Sequence, residues 1–415
     1  MAKIAILGHG VVGSGVAEVL LKNAESIALK AGEPIEIGHI LDIREFPGLL
    51  YSHRFTTNFD DIINDDDVSV VVEVIGGLTP SYGYVRASLE AGKSVVTSNK
   101  ELVAQKGAGL LQLARDRGVD FLFEASVGGG IPIISPLHQC LAANRLHEIT
   151  GILNGTTNFI LTKMVREGMS FDQALRTAQR LGYAERNPAA DIEGHDTCRK
   201  ICILASLAFG RHVYPQWVRT EGITALTLED IECARRLDGV IKLLGSAREM
   251  DDGQLYITVS PCFIPREHPL ANVEDVFNGI LVKGDAIGDV VFYGRGAGKL
   301  PTASAVVADI INCVRHTHAH SRIYWRDALD GEQVVAEPGR VETAKLIRLA
   351  CDDKQKASVK ASAVFGKVRE AFSENGSEYA FLSPKMPESA LDETVRSLVE
   401  SGAAKKVISS IRAVI

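Results

Sequence analysis

Asp196 and Lys200 stand four positions apart in a stretch that reads as a helix over 196–209, so they share one helix face. An ammonium and a carboxylate aimed into one cleft can move a proton to and from a bound molecule. A second lysine, Lys100, opens another helix, a place where the backbone dipole disfavours a cation. Two lysines in one partly desolvated site would depress each other's affinity for a proton. A different chemistry is suggested by Gly8-His9-Gly10-Val11-Val12-Gly13, which follows an apolar run and opens a helix. Gly8 permits the tight turn, Gly10 lets the backbone approach a pyrophosphate, and Gly13 allows close helix–strand packing. The helix start at Val11 and Val12 supplies N–H groups to the phosphates. Asp42 closes the next strand, where a carboxylate accepts hydrogen bonds from the ribose hydroxyls of NAD. Arg44 stands two residues on and suits the 2′-phosphate of NADP, so either cofactor is open, with a lean to NAD.

These residues need a frame in which strand ends meet helix starts. Over 1–131, strand runs at 3–7, 35–41, 68–75, 94–97 and 120–123 alternate with helical stretches at 12–21, 82–91 and 102–117. That alternation predicts a doubly wound parallel sheet of Rossmann type, an α/β domain with its ligand crevice at the carboxyl ends of the strands. Gly76-Gly77, Thr97-Ser98-Asn99-Lys100 and Glu124–Pro132 lie at those ends, and Gly76, Thr97 and Ser98 are expected to line the crevice. Residues 132–315 mix helices (132–143, 158–167, 171–181, 196–209, 228–237) with strands at 254–261 and 279–284. This predicts an α+β second domain, and helix 302–315 is expected to pack back on the first domain. A polar junction, 316–340, leads to a small third domain at 341–415. It reads as strand 346–351, helix 361–372, strand 379–382, helix 390–400 and strand 407–414.

Composition removes other classes. The net charge of −7 gives no electrostatic drive toward nucleic acid or an anionic membrane surface, and no apolar run is long enough to span a bilayer. Seven scattered cysteines, an odd number, suit reduced thiols in the cytoplasm. His195, Cys198 and Cys202 have ligand-like spacing, as do His316, His318 and His320. Neither group offers four convergent ligands, so a buried helix face and solvated histidines are the expectation.

Two further stretches carry a resemblance: Ile152-Leu153-Asn154-Gly155-Thr156-Thr157-Asn158-Phe159, and the long run from Gly182 through Glu185, Asp191, His195 and Asp196 to Lys200. With Gly8–Gly13, Thr97–Lys100, Glu124–Pro132 and Gly294-Arg295-Gly296-Ala297-Gly298-Lys299-Leu300-Pro301-Thr302, they closely resemble homoserine dehydrogenase over about residues 1–315. The resemblance implies NAD(P)-dependent interconversion of homoserine and aspartate 4-semialdehyde, toward threonine, methionine and isoleucine. It implies Lys200 as the acid/base, with Lys100 between nicotinamide and substrate. Glu185 would hold the substrate's amino group, with Asp191, Asn154, Gly155 and Thr156 in the substrate site. Asp191 and Asp196 would orient substrate and lysine, and Gly298 would contact the cofactor. Glu124, Val127, Gly129 and Ile131 resemble the family's site for a monovalent cation such as Na+, which takes oxygen ligands. A homodimer is implied, built through the second domain, where residues 255–259 offer an apolar strand to pair or pack across a two-fold axis.

The chain departs from the family at Arg295 and Lys299, where a proline and a small residue are usual. Its tail resembles a regulatory ACT domain that is one strand short, because Asn375-Gly376 runs directly into 377–383. Asp352-Asp353-Lys354-Gln355-Lys356 replaces the usual Pro-Gly turn. The expectations are therefore a weak response to threonine and a core that survives loss of 341–415. Two other readings are weighed. An aspartate-semialdehyde dehydrogenase would need a cysteine nucleophile, and Cys140 has no evident activator. A non-catalytic amino-acid sensor would not need Lys100, Glu185, Asp196 and Lys200 intact.

Overall fold

A computed structural model describes residues 1–315, 323–371 and 376–415. His316, His318, His320 and the Asn375 end of the expected missing strand lie outside these residues. Six strands form the first sheet: β1 (Ala2–Leu7), β2 (Ile35–Leu41), β3 (Phe55–Thr56), β4 (Val68–Glu73), β5 (Ser94–Thr97) and β6 (Phe121–Leu122). All pairings are parallel, in the order β3-β2-β1-β4-β5-β6. Val70, Val71 and Val72 are buried because helices cover both faces, which is why this strand is almost wholly β-branched. The order reverses between β1 and β4, so the loops after them flank a crevice. This is the doubly wound sheet that the sequence predicts. Helix Lys299–Arg315 shares a core with helix Val11–Lys22 through Ala303, Val306, Val16 and Leu20.

The remaining strands build one mixed sheet: β7 (Leu146–Ile152), β8 (Arg219–Thr220), β9 (Gly239–Glu249), β10 (Leu255–Pro265), β11 (Phe277–Gly284), β12 (Gly288–Arg295), β13 (Glu342–Ala350), β14 (Arg369–Ala371), β15 (Glu378–Leu382), β16 (Met386–Pro387) and β17 (Lys406–Ala413). The main path runs β12-β11-β7-β9-β10-β17-β13-β15-β14. Helices Gly155–Glu167, His195–Phe209 and Leu228–Arg236 cover one face, where Ile149, Ile241, Leu243 and Ile257 meet Phe159, Ile201 and Ile231. Among the described residues no helix is long and apolar enough to cross a membrane.

Several expectations change here. The helix expected over 132–143 shrinks to Pro136–Cys140, because Pro132 and Pro136, before and at its start, cannot donate to a helical ladder. The helix expected at 361–372 starts earlier, at Lys354–Phe365, because the Asp353 side chain accepts the N–H groups of Gln355 and Lys356. The strand expected to be missing is present: β14 pairs antiparallel with β15. Its three residues are too few and too polar to show alternation. Leaving aside the two-residue β16, which pairs with the start of β13, the tail reads strand, helix, strand, strand, helix, strand, with spatial order β17-β13-β15-β14. Finally, β10 is not a free edge over 255–259: β9 runs along one side, while on the other β8 pairs with Thr258 and Val259 and Leu255 bridges Val335, and Leu255, Ile257 and Val259 face the chain's own core. Pairing of residues 255–259 across a two-fold axis is excluded, because those backbone groups are already used.

Candidate active site

The glycine turn after β1 is shaped by contact distances. A Cβ on Gly13 would lie 2.0 Å from the Gly8 carbonyl oxygen, so only glycine closes this turn, and Gly8 itself has φ +98°. A Cβ on Gly10 would meet nothing within 4 Å; that side of the turn faces open space. Helix Val11–Lys22 begins there without a side-chain cap, leaving its first N–H groups to an anion. At the end of β2, Asp42 accepts the His9 N–H at 2.7 Å. Its other donors come from Arg44, whose backbone N–H and Nε reach Oδ1 and whose Nη2 reaches Oδ2. The guanidinium holds the Asp42 carboxyl well below the usual carboxylate range.

Across the crevice the turn after β5 is locked from below. Glu73, wholly buried at the end of β4, accepts N–H groups from Ile75 and Gly76 and the Thr97 hydroxyl. Asn99 takes the Leu102 N–H, capping helix Lys100–Arg117, and donates to the Gly77 carbonyl at 2.6 Å. Ser98 is half-buried on the same turn. The dipole penalty at Lys100 is offset by a partner: its ammonium pairs directly with Asp196. Glu73 and Asn99 belong to the site without a catalytic motif to single them out. An acid ending a β-branched strand and an asparagine before a helix were the available signals.

Asp196 is the meeting point. It lies on helix His195–Phe209, 3% exposed, and its second oxygen takes Lys200 Nζ at 2.8 Å. Lys200 also donates to the Leu153 carbonyl at 2.8 Å, a partner no side-chain pattern could reveal. Asn154 binds both acids, donating to Asp191 at 2.7 Å and to Asp196 at 2.9 Å while its oxygen caps helix Gly155–Glu167. Gly155 is required because a Cβ there would lie 2.8 Å from the Val276 carbonyl. Thr156 gives its hydroxyl to the Tyr183 carbonyl, tying this turn to the segment that leads to Glu185. Glu185 is exposed, and its backbone carbonyl accepts from Gln179.

Burial alone would raise the Asp196 pKa, but the Lys200 and Lys100 ammoniums outweigh it and hold the carboxyl low. Burial lowers the Lys200 pKa; Asp196 opposes this and Lys100 adds to it. Asp191 is pushed up by burial and by Asp196. One carboxylate thus bridges a lysine from the nucleotide sheet and a lysine from the second sheet's helix layer.

The Glu124 turn packs on the Gly294–Pro301 turn: a Cβ on Gly129 would lie 2.3 Å from the Gly296 carbonyl, and the Gly130 N–H donates to Arg295. Gly298 sits there at φ +128°. The Glu124 carboxylate accepts the N–H groups of Ile133, Ile134 and Ser135. Arg295 lies over the Phe277 ring, and Lys299 pairs with Glu18 at 2.7 Å. Among the described residues no group of three or more His, Cys, Asp or Glu could hold a metal ion. His195 is exposed, while Cys198 and Cys202 are buried. Cys140 sits exposed at the end of helix Pro136–Cys140, outside the lysine group.

A parallel sheet in this strand order, a glycine turn at its switch point and a lysine–carboxylate–lysine bridge facing it define a dinucleotide-dependent dehydrogenase. Residues 8–124 match the family model "Homoserine dehydrogenase, NAD binding domain", and residues 132–311 match "Homoserine dehydrogenase". A homoserine dehydrogenase of a Synechocystis strain is 47% identical over 317 residues, 75% of this chain and 73% of that one. The crystal structure of a homoserine dehydrogenase from Thiobacillus denitrificans superposes with TM-score 0.90 at 36% identity, covering 99% of this chain and 98% of that chain. A hyperthermophilic archaeal homoserine dehydrogenase mutant in complex with NADPH has TM-score 0.63 at 27% identity, over 75% and 97% of the two chains. The chain belongs to the homoserine dehydrogenase family, and is an oxidoreductase.

Proposed function

We propose that the chain interconverts L-homoserine and L-aspartate 4-semialdehyde with Lys200 as acid/base. The observation that carries this reading is the Asp196 carboxylate held between Lys200 and Lys100. When bound, NAD or NADP accepts or supplies the hydride at the substrate carbon. In the oxidation direction neutral Lys200 takes the hydroxyl proton; in reduction its ammonium returns a proton to the developing alkoxide. Asp196 keeps Lys200 and Lys100 in register, Asp191 and Asn154 orient the substrate, and exposed Glu185 receives its ammonium. Homoserine-dependent formation of reduced nicotinamide by the full chain tests the reading, and its absence with either cofactor would sink it. Such a reaction serves biosynthesis of threonine, methionine and isoleucine in the cytoplasm.

The cofactor reading follows from Asp42. The sequence favours NAD through this carboxylate, yet Arg44 occupies both its oxygens and neutralises its repulsion of a 2′-phosphate. Both cofactors are therefore taken, with Asp42 serving the ribose hydroxyls and Arg44 the phosphate. Replacing Arg44 by alanine is expected to lower kcat/KM with NADP at least tenfold while sparing NAD. Equal effects on the two cofactors would remove Arg44 from selection.

A Na+ ion at the Glu124 turn would draw on the carbonyls of Val127, Gly129 and Ile131, since the Glu124 carboxylate already serves three amides. Residues 341–415 are read as an ACT-like regulatory unit on the strength of their strand–helix–strand–strand–helix–strand order. A homodimer completes the reading, with the outer strand β12 exposing Val291 and Tyr293 at the edge of the large sheet.

A further inference from the structure

The turn that delivers Asp191 and Asp196 to the site rests on a second segment. Gly194 caps helix His195–Phe209 at φ +86°, and a Cβ there would press on Thr220 and Val259, both at 3.1 Å. From the other side a Cβ on Gly222 would lie 2.2 Å from the Ile192 carbonyl oxygen and 2.6 Å from the Glu193 Cα. The Ile223 N–H donates to that same Ile192 carbonyl at 2.8 Å. Residues 219–223 are thus the floor under residues 192–194.

The floor has little backbone support of its own. β8 pairs with β10 through two residues only, Arg219 with Thr258 and Thr220 with Val259. Beyond them the Glu221 N–H donates to Val259 at 2.7 Å, and its carboxylate takes Arg219 Nε and Arg412 Nη1, each at 3.0 Å. Arg412 comes from β17 in the C-terminal unit and is 6% exposed. Its other arm donates to Glu388 at 2.6 Å, a residue 1% exposed that also pairs with Lys345 at 3.0 Å. A buried guanidinium with two carboxylate partners holds its geometry far better than a surface lysine pair would. The segment under the catalytic turn is therefore pinned to a buried ionic cluster some 190 residues away in sequence, since Arg412 and Glu221 are 191 apart.

We propose that Glu221, clamped by Arg412, is a positioning residue for the reaction: it holds residues 219–223 against the 192–194 turn and so sets Asp191 and Asp196 about Lys200. This rests on Lys200 being the acid/base. A displacement of the two acids by even a fraction of an ångström would misalign the proton path without touching the cofactor turn after β1, and such errors cost on the order of 10-fold to 100-fold in turnover.

The test uses the full chain with homoserine and each cofactor. Glu221→Ala is expected to lower kcat about tenfold, with cofactor Kd unchanged. Glu221→Gln, which keeps an acceptor oxygen for Arg412, should recover most of the loss; a merely structural role gives no such split between kcat and cofactor binding. Arg412→Lys keeps the buried charge but cannot reach both carboxylates, and should show the same split more mildly. It decides the matter if Glu221→Ala does not fold. Wild-type kcat in Glu221→Ala, or in Arg412→Lys where only that variant folds, overturns the proposal. So does a fall in kcat matched by an equal loss of cofactor affinity. Lys200→Ala separates the two layers: if it turns over normally, the reading of the site has failed, whereas an inactive Lys200→Ala beside a fully active Glu221→Ala condemns the positioning role alone.

Discussion

Asp196 lies between two ammonium groups and is almost wholly buried, and both facts act on Lys200. Burial drives the lysine toward its neutral form, Lys100 does the same, and Asp196 and Asp191 pull the other way; the outcome is a pKa below that of an ordinary lysine. Oxidation of homoserine requires the neutral amine, so its kcat should rise with pH through this lowered pKa, and the reduction kcat should fall over the same interval. Removing one neighbouring cation in Lys100→Met moves the midpoint upward, because the ammonium form of Lys200 is then less opposed. Profiles of kcat against pH measure this, and an unmoved midpoint would show that the two lysines are uncoupled. Lys200→Ala itself should cost ~10²–10⁴-fold in kcat with cofactor Kd nearly intact. At this scale the sequence was informative: helical spacing joined Asp196 to Lys200, and the helix-start position made Lys100 stand out, though not its pairing with Asp196. The Lys200 bond to the Leu153 carbonyl and the two hydrogen bonds that Asn154 donates to Asp191 and Asp196 were invisible, because tertiary closure at the end of β7 creates them.

Elements carry the next layer, and the glycine turn separates fold from binding. Gly13→Ala forces a methyl to 2.0 Å from the Gly8 carbonyl, so the turn must open, at about 1–3 kcal/mol for an overpacked contact. Gly10→Ala meets no protein atom within 4 Å but projects a methyl where a pyrophosphate approaches. Thermal melting should therefore fall for Gly13→Ala alone, while cofactor Kd rises at least tenfold for Gly10→Ala. If both variants melt lower by the same amount and Gly10→Ala binds cofactor normally, the turn is only a turn. The parallel sheet was legible because strands buried on both faces must be β-branched. The mixed sheet was less so: β7 contains His147 and Glu148, and β9 shows no clean alternation because it is covered on both faces, with Leu243 and Leu244 in different cores and Lys242 buried beside them. Pro132 and Pro136 explain the shortened helix, and the Asp353 cap explains the shifted one.

At the scale of the whole molecule, the C-terminal unit is joined to the rest by little backbone and much buried charge. β17 and β10 share two residue pairs, Cys262 with Arg412 and Phe263 with Ala413. Beside them Arg348 of β13 donates to Asp230 at 2.6 Å, and the two side chains are 3% and 1% exposed. Asp230 closes the capping box of helix Leu228–Arg236 by accepting the N–H of the N-cap Thr227; the helix packs against the sheet whose strand β7 leads into Asn154, and Asp230 also accepts from Ser409. The sequence suggests a core indifferent to loss of 341–415; these contacts argue otherwise, because deletion strips Asp230 of Arg348 and Ser409, bares the flank of β10 and removes Ala344, Leu346 and Ile411 from the core they share with Ile231 and Ile257. Breaking one partner of such a pair typically costs ~3–5 kcal/mol, far more than any exposed ion pair contributes. Arg348→Met should therefore shift the urea midpoint strongly, and a chain ending at residue 340 should melt lower still. Pairing Arg348→Met with Asp230→Asn, which removes the stranded charge, should restore part of the loss. A wild-type urea midpoint for Arg348→Met would mean that the two units fold independently and that the ion pair only decorates their contact.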